Sequence, residues 1–230
     1  PRSARPRRPR RARGPRPRHL RVARVPRAPA PAGRRGGRHR RPAARLRRIK
    51  RAVLVNGVPA TGKTTIARAI ATRLGLPVLE LDVVKEVLFE ELGHRDADRE
   101  WGRALGRASI GSIWALLAGF PPDTTVVVEA WFRLPPHDPV LRGLERAGVE
   151  EWVEVWCHAQ PHVLMTRYAA RARHPGHPAA EDYADELRQL AAVARPMGLT
   201  PCLEVDTTDD AALDIDAVAR WVAERLALKR

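Results

Sequence analysis

The sequence predicts an α/β fold in which a parallel β-sheet is covered by helices on both faces. From residue 52 onward, short apolar segments rich in β-branched residues alternate with longer segments of helical periodicity. A glycine-rich turn joins the first apolar segment to the first helix, and Gly or Pro marks many of the later boundaries. Alternation of this kind is typical of parallel sheets packed between helices.

The first three predicted strands are short and apolar. Residues 52–56 and 124–128 are rich in Val, which is typical of buried strands, and residues 78–81 form a shorter strand after Pro77. Helices are predicted where apolar side chains recur at three- and four-residue spacing. In this half of the chain they cover residues 63–74, 83–92 and 98–117.

The second half of the chain continues the alternation. Residues 152–157 and 202–205 are the fourth and fifth predicted strands, and they contain the two cysteines, Cys157 and Cys202. Because both cysteines fall in predicted buried strands, we interpret them as small core side chains. The remaining helices are predicted over residues 139–147, 161–172, 181–193 and 211–228.

The first 51 residues differ in composition from the rest of the chain. They contain 22 of the 42 Lys and Arg residues and neither Asp nor Glu. The other 179 residues are mildly acidic, with 20 basic and 26 acidic side chains. Since the first segment has few large apolar residues, burial cannot offset its ordering entropy. We therefore predict a disordered basic extension over residues 1–50 and one folded domain over residues 51–230.

Three interpretations of the extension stay open. Its arginines suit contact with nucleic acid or an anionic membrane surface. A targeting peptide is also Arg-rich and acid-poor, although the many prolines and the single Ser3 disfavour that interpretation. Because the chain begins with Pro1, an upstream extension of a GC-rich reading frame is the third. The chain has no apolar run of membrane-spanning length and no signal region, so we expect a cytoplasmic protein.

A phosphate-binding motif follows the first predicted strand. Residues 57–64 read GVPATGKT and match G-x-x-x-x-G-K-[ST], with the strand before and the helix after that this motif requires. In such a loop the backbone N–H groups face the phosphates, Lys63 adds a positive charge near the β- and γ-phosphates, and Thr64 ligates Mg²⁺. The candidate nucleotide-binding residues here are Gly57, Val58, Pro59, Ala60, Thr61, Gly62, Lys63, Thr64 and Thr65.

Two acidic residues follow predicted strands at the same edge of the sheet. Asp82 follows the second strand, where a carboxylate accepts the proton of an acceptor hydroxyl or holds the attacking oxygen in line. The alternative interpretation of Asp82 is a helix N-cap. Glu129 follows the third strand and resembles a Walker B acid that holds Mg²⁺ through water or orients the acceptor. Lys85 is a candidate acceptor or phosphate contact, or part of a solvated helix face.

Basic residues cluster at the end of the fifth predicted helix. Arg167 and Arg171 share a helix face, and their charges repel unless an anion lies between them. Together with Arg173 they predict a lid that clamps a triphosphate, with a solvated basic face as the alternative. His174 and His177 flank the Pro-Gly break that follows, and we expect them to belong to the lid and not to a metal site.

These motifs together resemble the P-loop kinases of small molecules. The resemblance covers residues 51–228 and rests on the phosphate-binding loop, the Asp82–Lys85 segment, Glu129 and the basic lid segment. It is strongest with predicted kinases that carry an AAA-type ATP-binding domain, which stand beside chloramphenicol phosphotransferases, gluconate kinases, zeta toxins and polynucleotide kinases. The resemblance implies a P-loop NTPase three-layer sandwich whose five-stranded parallel sheet has the strand order 2-3-1-4-5.

The resemblance also implies a reaction, namely ATP- and Mg²⁺-dependent transfer of a γ-phosphoryl group to a hydroxyl. It implies that Lys63, Asp82, Arg167 and Arg171 are catalytic, that Arg173, Asp206 and Thr207 contact ATP, and that Thr64 and Glu129 serve the metal. Glu129 stands where Asp is more common, and no motif that reads a sugar or a nucleobase is present, so the small-molecule acceptor stays open. The alternatives are a polynucleotide-end kinase assisted by the basic extension and a non-catalytic ATP-binding protein.

Overall fold

A computed structural model of the chain describes residues 20–23, 49–93, 99–172 and 174–228. The strands are β1 (Leu20–Ala23), β2 (Lys50–Asn56), β3 (Val78–Glu80), β4 (Thr125–Ala130), β5 (Val149–His158) and β6 (Cys202–Asp206). The helices are α1 (Lys63–Leu74), α2 (Leu81–Leu92), α3 (Arg99–Ala118), α4 (Asp138–Ala147), α5 (Pro161–Ala170), α6 (Ala180–Val193) and α7 (Ile215–Arg225). A short 3₁₀ helix (Asp210–Ala212) precedes α7.

The strands form one sheet in the order β1-β6-β5-β2-β4-β3. All pairings from β6 to β3 are parallel. Counted from β2, the parallel strands have the order 2-3-1-4-5, which confirms the order that the family resemblance implies. The phosphate-binding loop leaves the middle of this sheet, because β2 lies between β5 and β4.

Apolar side chains form a core on each face of the sheet. Successive strand residues point to opposite faces. In β2, Val53 and Val55 pack with α1 and α7, whereas Ala52 and Leu54 pack with α3 and α4. A third buried cluster joins β5 to α5 and α6. The helix–sheet–helix layering confirms the predicted three-layer sandwich.

Strand β1 belongs to the basic extension and is not predicted from the sequence. It pairs antiparallel with β6, with Leu20 opposite Val205 and Ala23 opposite Cys202. Main-chain hydrogen bonds hold such a pair, so it needs no apolar periodicity, and it covers a sheet edge that would otherwise be free. The structure therefore differs from the expected disordered extension at these four residues. The rest of the extension up to residue 48 lies outside the described residues.

Several element boundaries differ from the prediction. Strand β3 ends at Glu80 and α2 begins at Leu81, so Asp82 lies in the first turn of a helix instead of just before it. The predicted helix over residues 211–228 is divided, because the Asp214 side chain accepts a hydrogen bond from Ala217 N at 2.9 Å and starts α7 there. Both cysteines are free and buried, as predicted. No helix in the described part of the chain could cross a membrane.

Strand β2 begins at Lys50, one residue before the expected domain boundary. The buried Lys50 ammonium donates hydrogen bonds to the carbonyl oxygens of Leu117 at 2.8 Å, Ala118 at 3.0 Å and Ala147 at 2.9 Å. These carbonyls end α3 and α4, where a helix has no internal donors left for them. Burial lowers the pKa of Lys50. The first residue of the strand thus ties together the ends of two helices.

We expect Lys50→Met to lower the free energy of unfolding by about 1–3 kcal/mol, because it takes the ammonium donor away from the carbonyl oxygens of Ala118 and Ala147. Arg51→Met is the matched control, since Arg51 pairs with Glu151, whose side chain is 51% exposed, and such surface pairs are worth about 0–1 kcal/mol. Urea unfolding of both variants measures the difference. Equal losses in the two variants would show that Lys50 has no special structural role.

Candidate active site

The phosphate-binding loop lies between β2 and α1. A Cβ atom on Gly57 would sit 2.4 Å from the Cys157 carbonyl oxygen and 2.6 Å from Thr61 Oγ1, so only glycine fits there. Gly62 has a φ of 73° and is the N-cap of α1, but no side chain caps that helix. The first N–H groups of α1 are therefore left without a capping side chain, and a helix start of this kind suits a phosphate.

Three side chains converge next to this loop. The Lys63 ammonium lies 3.5 Å from Glu129 Oε1, and the Thr64 hydroxyl donates to the same oxygen at 3.4 Å. Glu129 is only 1% exposed. Burial raises its pKa, the charges of Asp82 and Glu80 raise it further, and Lys63 opposes them. Oxygen atoms of a hydroxyl and a carboxylate are the protein ligands that Mg²⁺ prefers, so these residues fit the predicted metal.

A second acid beside Glu129 is neutralised by an arginine. Glu80 is directly opposite Glu129 in the register of β3 and β4. Arg68 of α1 binds Glu80 through two hydrogen bonds, both 2.7 Å long. Planar, bidentate pairing is the strongest arrangement for arginine and carboxylate. Glu129 is therefore the acid left to face Lys63 and Thr64, a distinction that the sequence pattern does not make.

Asp82 lies beside this group of residues. It is half-buried in the first turn of α2, whose N-cap is Glu80 and not Asp82. The structure therefore does not support the interpretation of Asp82 as a helix N-cap. The charge of Asp82 acts on Glu129, raising its pKa, and also on Lys85 and His177. Asp82 therefore stands between the phosphate-binding residues and the lid segment.

The structure describes two of the three arginines of the predicted lid. Arg167 donates to the Thr207 carbonyl oxygen at 2.8 Å and to Asp210 Oδ1 at 2.7 Å, so it faces the segment after β6. Arg171 is exposed just beyond the end of α5. Arg173 lies outside the described residues. Convergence of the three on a triphosphate stays a prediction.

The segment after β6 forms hydrogen bonds with the phosphate-binding loop. The hydroxyl of Thr207 lies 2.8 Å from the Thr61 carbonyl oxygen, and its backbone N–H donates to the His158 carbonyl oxygen at 2.8 Å. Thr207 is 1% exposed. Asp206 accepts a hydrogen bond from Thr208 N at 2.9 Å. The structure thus gives Thr207 a positioning role, and the contact of both residues with adenine stays a prediction.

The predicted lid segment packs against α2. His174 Nε2 lies 3.2 Å from Glu90 Oε1, and His177 Nε2 lies 3.1 Å from Glu86 Oε1. The ring of Phe89 meets the His174 ring edge-on at a centroid distance of 5.3 Å. Burial lowers the pKa of His177, against the opposite effect of the acids around it. The segment therefore closes the side of the site on which Asp82 lies.

A buried polar network that the sequence did not predict supports the site. Glu154, fully buried in β5, accepts hydrogen bonds from Asn56 Nδ2 at 2.8 Å and Met197 N at 2.9 Å. The side-chain oxygen of Asn56 then accepts from Gly57 N at 2.8 Å and from Phe132 N at 3.2 Å. One carboxylate thereby orients the amide that joins the phosphate-binding loop to the loop after β4.

Burial raises the pKa of Glu154 to about 7, whereas a glutamate in the unfolded chain titrates near about 4.3. The stability that depends on protonated Glu154 is therefore fully present below about pH 4.3. It is lost as the pH rises through about 7. We expect the wild-type protein to lose a few kcal/mol relative to Glu154→Gln between about pH 4 and pH 8, at about 1.4 kcal/mol per pKa unit.

Urea unfolding of both proteins across this pH range measures the effect. Glutamine brings an N–H₂ group against the donors of Asn56 and Met197, so the variant starts less stable at low pH. The difference between the two curves is the readout. Curves that stay parallel would contradict the raised pKa of Glu154.

Comparison with known proteins agrees with this site. A family model described as an AAA domain matches residues 53–197. A “putative kinase” from Chloroflexus aurantiacus J-10-fl has a similar structure, with 32% identity and a TM-score of 0.67 over 77% of this chain and 98% of that one. No curated protein matches the chain.

Two more distant structures are also similar to this chain. A shikimate kinase from Acinetobacter baumannii is 19% identical, with a TM-score of 0.50 over 79% of this chain and 96% of that one. A gluconokinase from Sinorhizobium meliloti 1021 is 24% identical, with a TM-score of 0.47 over 76% and 91% of the two chains. The fold, the phosphate-binding loop and the family match agree, and the chain belongs to the AAA domain family, within the group of P-loop small-molecule kinases.

Proposed function

We propose that this protein transfers the γ-phosphoryl group of ATP to a hydroxyl group of a small molecule. One observation carries the proposal: Lys63 and Thr64 converge on the buried Glu129, and the charge of Asp82 acts on the same carboxylate. Phosphoryl transfer needs a cation for the phosphates, oxygen ligands for Mg²⁺ and a group that orients the nucleophile. These four residues supply all three within one site.

The phosphate-binding side of the proposed site consists of the loop, Lys63, Thr64 and Glu129. Lys63, which pairs with Glu129 at 3.5 Å, would turn its ammonium toward the β- and γ-phosphates. Thr64 and Glu129 would hold Mg²⁺, which when bound spreads the charge that develops on the phosphate oxygens. Thr207 and Asn56 keep the loop in shape through the Thr61 carbonyl and the Gly57 N–H.

Asp82 would act on the acceptor. As the acceptor oxygen bonds to the γ-phosphorus and the bond from that phosphorus to the bridging oxygen of ADP breaks, the hydroxyl proton passes to the Asp82 carboxylate. The lid segment, which rests on α2 through His174 and His177, would exclude water from this step. Exclusion of water matters because water is the competing nucleophile.

An assay of ADP release across a panel of small alcohols tests the proposal. With Mg²⁺ and ATP, release should be slow without an alcohol and should rise at least tenfold with one class of acceptor, since closure around an acceptor completes the site. Stimulation by oligonucleotide ends alone would favour a polynucleotide kinase. Tight ATP binding without stimulation by any acceptor would favour a non-catalytic ATP-binding protein, and either result would overturn the proposal.

A further inference from the structure

A cavity lies beside the phosphate-binding loop, and the proposed reaction does not use it. Its volume is about 240 Å³, and it lies between β5, β6, the first turn of α5 and the end of α6. Val58 and Thr61 of the loop line one side, and both are almost fully buried. A liquid water takes up about 30 Å³, so the cavity has room for a molecule of about eight non-hydrogen atoms. The rest of the wall is largely apolar and includes Trp156, Leu164, Ala191 and Ala194.

The cavity lies on the opposite face of the sheet from α1. Leu203 and Val205 of β6 pack with α1 and α7, so Glu204 between them points to the other face. There it stands next to Trp156, its partner in the register of β5 and β6, and Trp156 packs with α5 and α6. The phosphates of ATP, in contrast, would bind at the start of α1. The cavity touches the loop but is separate from the proposed nucleotide site.

One carboxylate lies at this apolar cavity without a partner. Glu204 is half-buried and has neither a hydrogen bond nor an ion pair within the described residues. Arg195 and His158 also line the cavity, but neither pairs with Glu204. The guanidinium of Arg195 donates instead to the carbonyl oxygens of Ala192 at 3.0 Å and Ala194 at 2.7 Å, at the end of α6. A charge withdrawn from water without a partner is unfavourable, so the position of Glu204 favours a cationic ligand.

Trp156 gives the cavity a second feature that suits a cation. Indole is the aromatic ring that attracts a cation most strongly. Trp156 is the neighbour of Glu204 across the two strands, and it packs against Trp131 with ring centroids 6.1 Å apart, so its ring is held in place. Ligand sites are typically apolar, with a few polar groups that fix the orientation of the ligand. A carboxylate beside a fixed indole, within an apolar wall, is such an arrangement for an ammonium group with an apolar substituent.

We infer that this cavity binds a small primary amine, whose ammonium pairs with Glu204 and whose apolar body lies against Trp156 and Leu164. The inference goes beyond the proposed function and does not depend on it, because the side chains assigned to phosphoryl transfer and to the metal do not line the cavity. An amine bound there would rest against the phosphate-binding loop from the side away from α1.

Benzylamine and benzyl alcohol are matched probes, because they share an apolar body and a size and differ in charge. Titrations of the full chain are followed by two-dimensional NMR, which measures weak binding residue by residue. Benzylamine should bind at least about tenfold more tightly than the alcohol, since a charge-assisted hydrogen bond is stronger than a neutral one. Glu204→Gln should remove this preference. The control Glu151→Gln, which removes a 51% exposed carboxylate near the other end of β5, should keep it. Ala191→Leu should fill the cavity and weaken the binding of both probes.

Three results would overturn the inference: equal affinity of the two probes, an unchanged preference in Glu204→Gln, or unchanged binding in Ala191→Leu. The titration is repeated with a saturating non-hydrolysable ATP analogue, and benzylamine should still bind. Competition with the analogue would place the amine in the nucleotide site and contradict the inference. Arg21 lies opposite Glu204 in the register of β1 and β6, so Arg21→Gln is titrated as well. A preference for the amine that appears only in this variant would assign Glu204 to Arg21 and exclude an amine site in the full chain.

Discussion

Replacement of Lys63 by Met should reduce ATP-dependent phosphoryl transfer by about 10³-fold or more. Lys63 is the cation closest to the predicted position of the γ-phosphate, and loss of a single preorganised donor at a transition state costs about 10²–10³-fold. The variant also leaves the carboxylate of Glu129 buried without its cation at 3.5 Å. We therefore expect a moderate loss of stability as well, which must be separated from the loss of activity.

The double variant Lys63→Met/Glu129→Gln separates the two effects. It removes the unpaired buried charge, so the free energy of unfolding should recover, because a neutral group in a buried site costs less than an ion. Activity should not recover, because neither the phosphate-binding cation nor the metal-binding carboxylate is restored. Measurements of kcat/KM and of urea unfolding for the wild type, the single variant and the double variant distinguish the loss of activity from the loss of stability. Activity of Lys63→Met within tenfold of wild type would contradict the assigned site.

Replacement of Asp82 by Asn should lower kcat by about 10²–10⁴-fold, the usual cost of removing a general base, and should leave affinity for an ATP analogue nearly unchanged. The substitution keeps the shape of the side chain and removes its ability to take a proton. An acid in the first turn of a helix also stabilises that helix by about 0.3–1 kcal/mol. A small loss of stability is therefore expected and has no bearing on catalysis.

Asp138→Asn is the matched control for this variant. Asp138 also lies in the first turn of a helix, α4, and is exposed. Both variants should lose a similar, small amount of stability in urea unfolding, and only Asp82→Asn should lose turnover. If kcat of the two variants is the same, Asp82 contributes to helix stability alone and another residue must orient the acceptor.

The sequence predicted the parts of the molecule that depend on local pattern. The alternation of apolar strands and helices from residue 52 onward gave the layers correctly, and the glycine-rich motif correctly placed the loop between β2 and α1. The order of the strands is not encoded in any local pattern, and it came from resemblance to a known family. Local pattern also placed Glu129 near the loop, since the carboxyl ends of neighbouring parallel strands meet at one edge.

Interactions between distant residues could not be predicted in this way. The predicted domain boundary placed Lys50 at the end of the basic extension. In the structure its ammonium binds the carbonyl oxygens of Leu117 and Ala147, which lie at helix ends 67 and 97 residues further along the chain. Glu154 lies within a predicted strand, and only the position of β5 between β2 and β6 shows that this acid is buried. The contacts of Arg167 with Thr207 and Asp210 depend on where the segment after β6 lies, which no local pattern shows.

The most direct test of the account follows the phosphoryl group itself. ATP carrying ¹⁸O in its γ-phosphoryl group is incubated with the protein, Mg²⁺ and a metabolite extract, and mass spectrometry locates the label. The account predicts that labelled phosphoryl appears in an organic phosphate monoester and that Lys63→Met abolishes its formation. Label found only in ATP and inorganic phosphate would contradict the claim that this protein is a small-molecule kinase.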